Sequence, residues 1–427
     1  MSVSGLRVGV VGSGISGLAA AHYLARRHRV TLFEAESRLG GHSHTHDIVA
    51  GGRPVSVDTG FIVYNHRTYP RFVKLLAELG VHGRRSDMSF GVRCRRCNVE
   101  YSSRGVAGLF AQPRRALDPS HLRLIADIPR FNRDARAFLA APAGGAPEAD
   151  LGGFLERGRY SDSFVRHFIL PMGGAIWSAP FAEMRRFPAR SFLRFFANHG
   201  WLSLTGAPQW WTVDGGSRTY VDAIARGLRG EIHLARPVES VRRENDGVTV
   251  SSGGREWRFD RIVIATHADQ ALSLLADPSP DERRLLGAFR YSRNRAVLHS
   301  DREALPRAAG AWASWNSDLA DCREDEAPVS LTYHMNRLQG LPGPDELCVT
   351  LNPAMTLTAV LATMEYTHPI LDGPAVLAQP EIARRNGERN TFFAGAHLRY
   401  GFHEDGLLSA LAVAERLGVT VLDAEAA

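Results

Sequence analysis

Lysine is almost missing from this 427-residue chain: Lys74 is the only one among 51 basic residues, so the formal net charge of +6 rests on arginine. The arginines are scattered, as in Arg26-Arg27, Arg84-Arg85, Arg95-Arg96, Arg114-Arg115 and Arg185-Arg186. Such scatter describes solvated faces rather than a groove that tracks phosphates, and it argues against nucleic acid as a partner. Contact with an anionic lipid surface, peripheral to a membrane, stays open. Cysteine is scarce too: Cys94, Cys97, Cys322 and Cys348 make no disulfide framework in a chain of this length. No apolar run reaches the roughly 18 residues of a spanning helix, and no basic n-region with an apolar h-region precedes the first strand. The expected location is therefore cytoplasmic, while the sequence carries no signal for oligomeric state. With 44% apolar residues the chain can bury large cores, and its length predicts two or three domains.

What is present begins at once. Leu6 to Val11 reads as a short buried strand, and Ile15 to Arg27 as a helix with Ile15, Leu18, Ala19, His22 and Tyr23 on one side. Gly12, Gly14 and Gly17 lie where strand becomes helix. Gly12 permits the tight turn, Gly14 lets backbone approach a pyrophosphate, and Gly17 lets the helix lie close on the sheet. Glu34 closes the next apolar run, where a carboxylate can accept both hydroxyls of an adenosine ribose. Strand, glycines, helix and acid in this order predict a dinucleotide clamp, its phosphates facing the positive end of a helix.

After Glu34 the chain continues Ala35-Glu36-Ser37-Arg38-Leu39-Gly40-Gly41-His42. With this second glycine pair the chain resembles the flavin-containing amine oxidase superfamily. Val57 to Asn65, Ala175 to Ser178, Phe192 to Phe196 and Gly401 to Gly406 resemble, more narrowly, a bacterial predicted NAD/FAD-binding branch whose genes often accompany cyclopropane-fatty-acyl synthases. The resemblance implies FAD as cofactor and an α/β fold, a Rossmann-like FAD-binding domain with a discontinuous inserted α+β substrate domain. It implies cofactor contacts from Gly12, Gly14, Ile15, Ser16, Gly17, Glu34, Ala35, Arg38, Gly40, Gly41, His42, Thr59, Gly60 and Phe61. Val238, Thr266, Gly395, Glu404, Asp405, Gly406 and Leu407 would add to these from later in the chain.

The expected division assigns 1–85, 215–285 and 385–427 to the FAD-binding domain and 86–214 and 286–384 to the substrate domain. Glu231 to Leu234, Glu239 to Val241, Arg261 to Thr266 and Thr391 to Ala396 read as strands, Gly247 to Ser251 as the start of a hairpin, and Gly406 to Leu417 as an amphipathic helix. Residues 86–214 read as helical and 286–384 mostly as strands, with Ala143 to Asp150 a surface loop.

For proton handling the candidates are His403, His397 and His42, with Tyr400 and Tyr64 beside them, though each histidine has an ordinary hydrogen-bonding reading. Glu404 and Asp405 serve either cofactor positioning or plain helix capping. Many amine oxidases of the superfamily hold a lysine near flavin N5, and Lys74, on the helix Pro70 to Leu79, is badly placed for that. The rings of Trp177, Phe187, Phe192, Phe195, Phe196, Trp201, Trp210 and Trp211 suit either an apolar tunnel for a long hydrophobic small-molecule substrate or an aromatic core. His42, His44 and His46 alternate, and Cys94 and Cys97 form a CxxC, but no second CxxC is present, so no metal site is expected. The leading expectation is an FAD-dependent oxidoreductase that desaturates a fatty-acyl-like substrate by hydride transfer to flavin N5. The alternatives are an amine oxidase, a redox-neutral double-bond isomerase, and a flavin-bound scaffold for a lipid methyltransferase without turnover.

Overall fold

The structure is a computed structural model that describes residues 5–142, 149–203 and 206–421. The N-terminal motif lies in a five-stranded parallel sheet, with strand order Gly230–His233, Arg29–Phe33, Arg7–Val11, Arg261–Ile264, Thr391–Phe393. Its central strands are near-continuous apolar runs, as a sheet covered on both faces demands. Val8 pairs with Val30 on one side and Arg261 on the other, and Val10 with Leu32 and Val263. Three segments far apart in sequence thus close one sheet.

The first helix runs Ile15–Leu24, three residues shorter than its spacing suggests, and every residue in it except His22 is buried. It is not one-sided because the helix His403–Arg416 packs against it. A Cβ on Gly406 would come within 2.8 Å of Ile15 Cγ2 and Ser16 Oγ, so a glycine is needed at that crossing. The closing helix opens at His403 rather than at Gly406, which lies inside it.

A seven-stranded sheet forms the other half, in the order Val360–Ile370, Arg290–His299, Cys348–Leu351, Ser330–His334, Trp315–Leu319, Phe90–Cys94, Val99–Ser102. The last two strands come from the stretch expected to be helical. All five residues of Phe90–Cys94 are buried, and Arg93 tolerates this because Asp318 on the adjacent strand accepts from its Nε and Nη2 at 2.9 and 2.8 Å. The rest of that stretch is helical, including Pro119–Ala140 and Ala189–Asn198. Conversely, Gly373–Arg385 is a helix within the stretch read mostly as strands. The expected loop Ala143 to Asp150 falls largely outside the described residues; Asp150 itself caps the helix Leu151–Gly158, its Oδ1 accepting from Gly153 N at 2.8 Å. Among the described residues no helix is long and apolar enough to cross a membrane.

Candidate active site

The first helix begins at Gly14 with no side-chain cap and no acidic residue in its first turn, which leaves backbone N–H groups facing outward for an anion. A Cβ on Gly14 would meet nothing within 4 Å, whereas one on Gly17 would lie 1.8 Å from the Gly12 carbonyl oxygen. Gly12 itself has φ +94°, a left-handed conformation that favours glycine. Gly17 and Gly12 therefore hold the fold, and Gly14 lines an open cradle. Gly41, at φ +55°, passes so close that its Cβ would sit 3.1 Å from Gly14 Cα.

Glu34 is fixed beside the cradle. Its Oε2 accepts from Ser13 N at 2.8 Å and Ser13 Oγ at 2.5 Å, and its Oε1 from Glu36 N at 2.9 Å. Gly40 N donates back to Ser13 O at 3.0 Å, and Arg38 holds the Gly41 carbonyl at 2.9 Å. Ala35 is exposed, and the segment leading to Val238 runs alongside, with Arg236 N donating to Glu34 O and Ala235 N to Glu36 O. Thr266 lies opposite Gly12, its Cγ2 3.3 Å from where a Gly12 Cβ would be.

The first turn of the closing helix turns out to be occupied with structure. Glu404 accepts from Arg71 N and Phe72 N, both at 2.9 Å, and so caps the neighbouring helix Pro70–Glu78 that carries Lys74. Asp405 Oδ2 accepts from Phe402 N at 3.0 Å, closing its own helix. Both carboxylates serve as helix caps. Burial raises them, Glu404 to about 7 and Asp405 to about 6. Leu407 and Gly406 are buried behind them against the first helix.

His403 is also engaged. Its Nε2 lies 2.8 Å from the Tyr220 hydroxyl and 3.4 Å from Ser43 Oγ, and its ring stacks on Phe61 at 3.7 Å. Burial lowers it to about 3, so it is neutral at neutral pH, and its Nε2 is taken up by Tyr220 and Ser43. Tyr64 has its hydroxyl against Gly83, where a Cβ would come within 2.0 Å, and its ring packs edge-on against Phe72. Thr59 Oγ1 lies 2.8 Å from the Tyr366 hydroxyl, and Gly60 crosses His42 so tightly that its Cβ would meet the His42 oxygen at 2.1 Å.

His42 and His397 behave differently. Each has a buried Nε2 with no hydrogen-bond partner in the protein, and burial lowers both, His397 to about 3. His42 belongs to a cluster that no motif announced. Its ring centroid lies 5.1 Å from Tyr366, 5.4 Å from His368 and 6.2 Å from His267. His267 stacks on Tyr291 at 4.5 Å, and Asn294 Nδ2 is 3.0 Å from His368 Nδ1. Burial lowers His368 to about 4 and His267 in the same direction. His267 follows directly on Thr266 at the end of a sheet strand, a position that could have marked it; His368 and Tyr366 lie on the long strand Val360–Ile370 and had no signal. A glycine cradle with room beside Gly14 and orphaned imidazole nitrogens on His42 and His397 fit a long dinucleotide with a polar ring system.

The aromatic segment is a core. Trp177 packs on Phe187, Phe192 and Phe195 at 4.6, 5.5 and 5.0 Å, and all four rings are buried. Of the two readings, tunnel or core, these residues follow the second, because the rings fill one another's space. The core instead supports the loop before the closing helix: Trp177 Nε1 donates to Tyr400 O at 3.2 Å, and Phe195 stacks on Phe402 at 4.7 Å. Tyr400 is half-buried there, its hydroxyl raised by burial.

A family model described as flavin containing amine oxidoreductase matches residues 15–302. A putative flavin-containing monoamine oxidase AofH from Mycobacterium tuberculosis is 27% identical over 351 residues, covering 78% of this chain and 72% of that protein. Among solved structures, a putative protoporphyrinogen oxidase from Exiguobacterium sp. 255-15 shares the fold with a TM-score of 0.68 at 17% identity, over 98% of this chain and 99% of that one. A CLA-producing fatty acid isomerase from P. acnes does so with a TM-score of 0.66 at 15% identity, over 96% and 98%. With its glycine cradle, fixed Glu34 and matching family model, the chain belongs to the flavin-containing amine oxidoreductase family and is an FAD-dependent oxidoreductase.

Proposed function

We propose that the enzyme oxidises a neutral, hydrophobic substrate of fatty-acyl or similar lipid character, removing a hydride from one carbon and a proton from its neighbour to leave an alkene. One observation supports this over a cationic substrate. The buried carboxylates near the motif, Asp58, Glu404 and Asp405, are each engaged by donors of the protein: Asp58 holds Thr45 Oγ1 at 2.6 Å, Ser217 N and Gln339 Nε2, and the other two are caps. Beside them stand imidazoles that burial keeps neutral, with the uncharged Thr59, Asn294 and Tyr366. An ammonium group would leave water for such surroundings without a counter-charge, which is costly.

Bound FAD would supply the hydride acceptor. Gly14 and the open helix end would hold its pyrophosphate and Glu34 its ribose, while His42 and His397 would offer hydrogen bonds to its polar edge. Tyr366 and His368, on the seven-stranded sheet, would face the substrate, and that sheet with its helices would form the substrate side. The proton from the substrate would pass to water, since burial disfavours the charged form of His42 and His368 alike.

The similarity to a putative monoamine oxidase favours a second reading, oxidation of an amine in its neutral form. Anaerobic mixing separates the two. Bleaching of the flavin bands by long-chain acyl compounds and not by primary amines is the expected result; bleaching by amines alone overturns the lipid reading. Turnover of an unsaturated lipid only after prior reduction of the flavin would replace desaturation by isomerisation.

A further inference from the structure

Far from the glycine cradle in sequence, the turn between Phe90–Cys94 and Val99–Ser102 carries the CxxC that had no second pair. The fold supplies what the motif lacks. Cys322 arrives from just beyond the strand Trp315–Leu319, which pairs in parallel with Phe90–Cys94, and His167 arrives on a π-helical turn, Val165–Ile169. Ligand atoms of Cys94, Cys97, Cys322 and His167 all lie within 4.8 Å of one another, and the Cys97 and Cys322 sulfurs are 3.6 Å apart. Around a tetrahedral zinc with Zn–S near 2.3 Å, neighbouring sulfurs sit about 3.8 Å apart.

We propose that these four residues form a Cys3His zinc site. A second observation points the same way: His167 Nε2 is buried without a hydrogen-bond partner, an arrangement that proteins avoid unless a ligand satisfies the atom. Single π turns recur where a helix must aim a functional side chain, and the Tyr101 hydroxyl fixes this one by donating to the His167 carbonyl at 2.6 Å. Zinc binding would displace the protons of three thiols and leave the centre with one net negative charge. Two guanidinium groups stand beside it: Arg115 Nη2 donates to the Cys97 carbonyl at 2.9 Å and Arg166 Nη1 to the Cys322 carbonyl at 3.0 Å. Cys97 is exposed while the other three ligands are buried, and a cavity of about 200 Å³ lined by Cys97, Arg115 and His167 gives the ion a way in. The site would pin the edge hairpin of the seven-stranded sheet to the helical layer, outside the flavin chemistry.

The test uses the reduced, FAD-loaded protein. Elemental analysis is expected to find zinc equimolar with the chain, Ellman's reagent to reach Cys94, Cys97 and Cys322 only after a chelator is added, and chelation to lower Tm. Cobalt substitution gives an independent readout, d–d bands of a tetrahedral thiolate site to the red of the flavin absorption. Cys97→Ser, at the exposed ligand, is expected to lose most of the zinc and to keep its flavin. Protein free of metal with three freely reactive thiols overturns the proposal; so does a Cys97–Cys322 disulfide in the mass spectrum, or iron with inorganic sulfide in place of zinc.

Discussion

The His403 ring lies flat on the Phe61 ring, centroids 3.7 Å apart and planes within 7° of parallel. The stack joins the first turn of the closing helix to the segment that follows Gly60, so two distant stretches of chain are locked at the flavin end of the site. Tyr220 completes the lock through its hydroxyl. His403→Ala should lower stability by about 1–3 kcal/mol, since it empties a buried stack and strips a hydrogen-bond partner from Tyr220. FAD retention should fall with it, while the pH profile of kcat keeps its shape because the imidazole is already neutral. A lost limb in that profile would make His403 catalytic after all.

Gly14 and Gly17 should separate cofactor binding from folding. Gly14→Val adds its side chain to open space and leaves apo-protein stability nearly unchanged, yet the protein should purify without flavin absorption and gain none with added FAD. Gly17→Ala drives a Cβ to within 1.8 Å of the Gly12 oxygen, and both Tm and flavin content should drop. Equal flavin retention in Gly14→Val and wild type would contradict the cradle.

Glu404 and Asp405 should make the apo protein less stable as pH rises. Both carboxyls bind a proton more tightly folded than unfolded, Glu404 at about 7 against 4.5 and Asp405 at about 6 against 3.8. Folding therefore takes up protons, and their contribution is full below the unfolded values and lost as pH climbs through the folded ones. Urea midpoints measured between pH 4.5 and 8 should fall for wild type. Glu404→Gln, which removes the titrating group and keeps one of the two acceptor oxygens used by Arg71 N and Phe72 N, should show a shallower fall.

Trp177→Ala should cost about 3–5 kcal/mol by leaving a cavity among Phe187, Phe192 and Phe195. Trp177→Phe should cost about 1 kcal/mol, mostly the hydrogen bond to the Tyr400 carbonyl. Denaturant titration of both variants measures the difference, and a cost for Trp177→Ala as small as that for Trp177→Phe would mean that the rings do not form one packed core.

The clamp was legible because a pyrophosphate needs consecutive backbone, so Gly12, Gly14 and Gly17 must lie close in sequence and Glu34 at the end of the adjoining strand. The closing helix was read at the right place but three residues late, since Gly406 looks like a start and is in fact a contact point with Ile15 and Ser16. For Glu404 and His403 the sequence left capping or hydrogen bonding open beside a role at the cofactor, because their partners, Arg71, Phe72 and Tyr220, lie 333, 332 and 183 positions away. The aromatic segment was correctly seen as apolar, but composition does not say whether rings face each other or a cavity.

By itself the sequence determined the cofactor, the parallel sheet that presents it and the glycines that make room for it, because these depend on local backbone geometry and on period. Only the tertiary structure decided which side chains gather around His42. His42, His267, Tyr366 and His368 meet there from three segments, and Cys322 and His167 join Cys94 and Cys97 in the same way. Such clusters form where sheets close and helices dock, and chain spacing carries no trace of them.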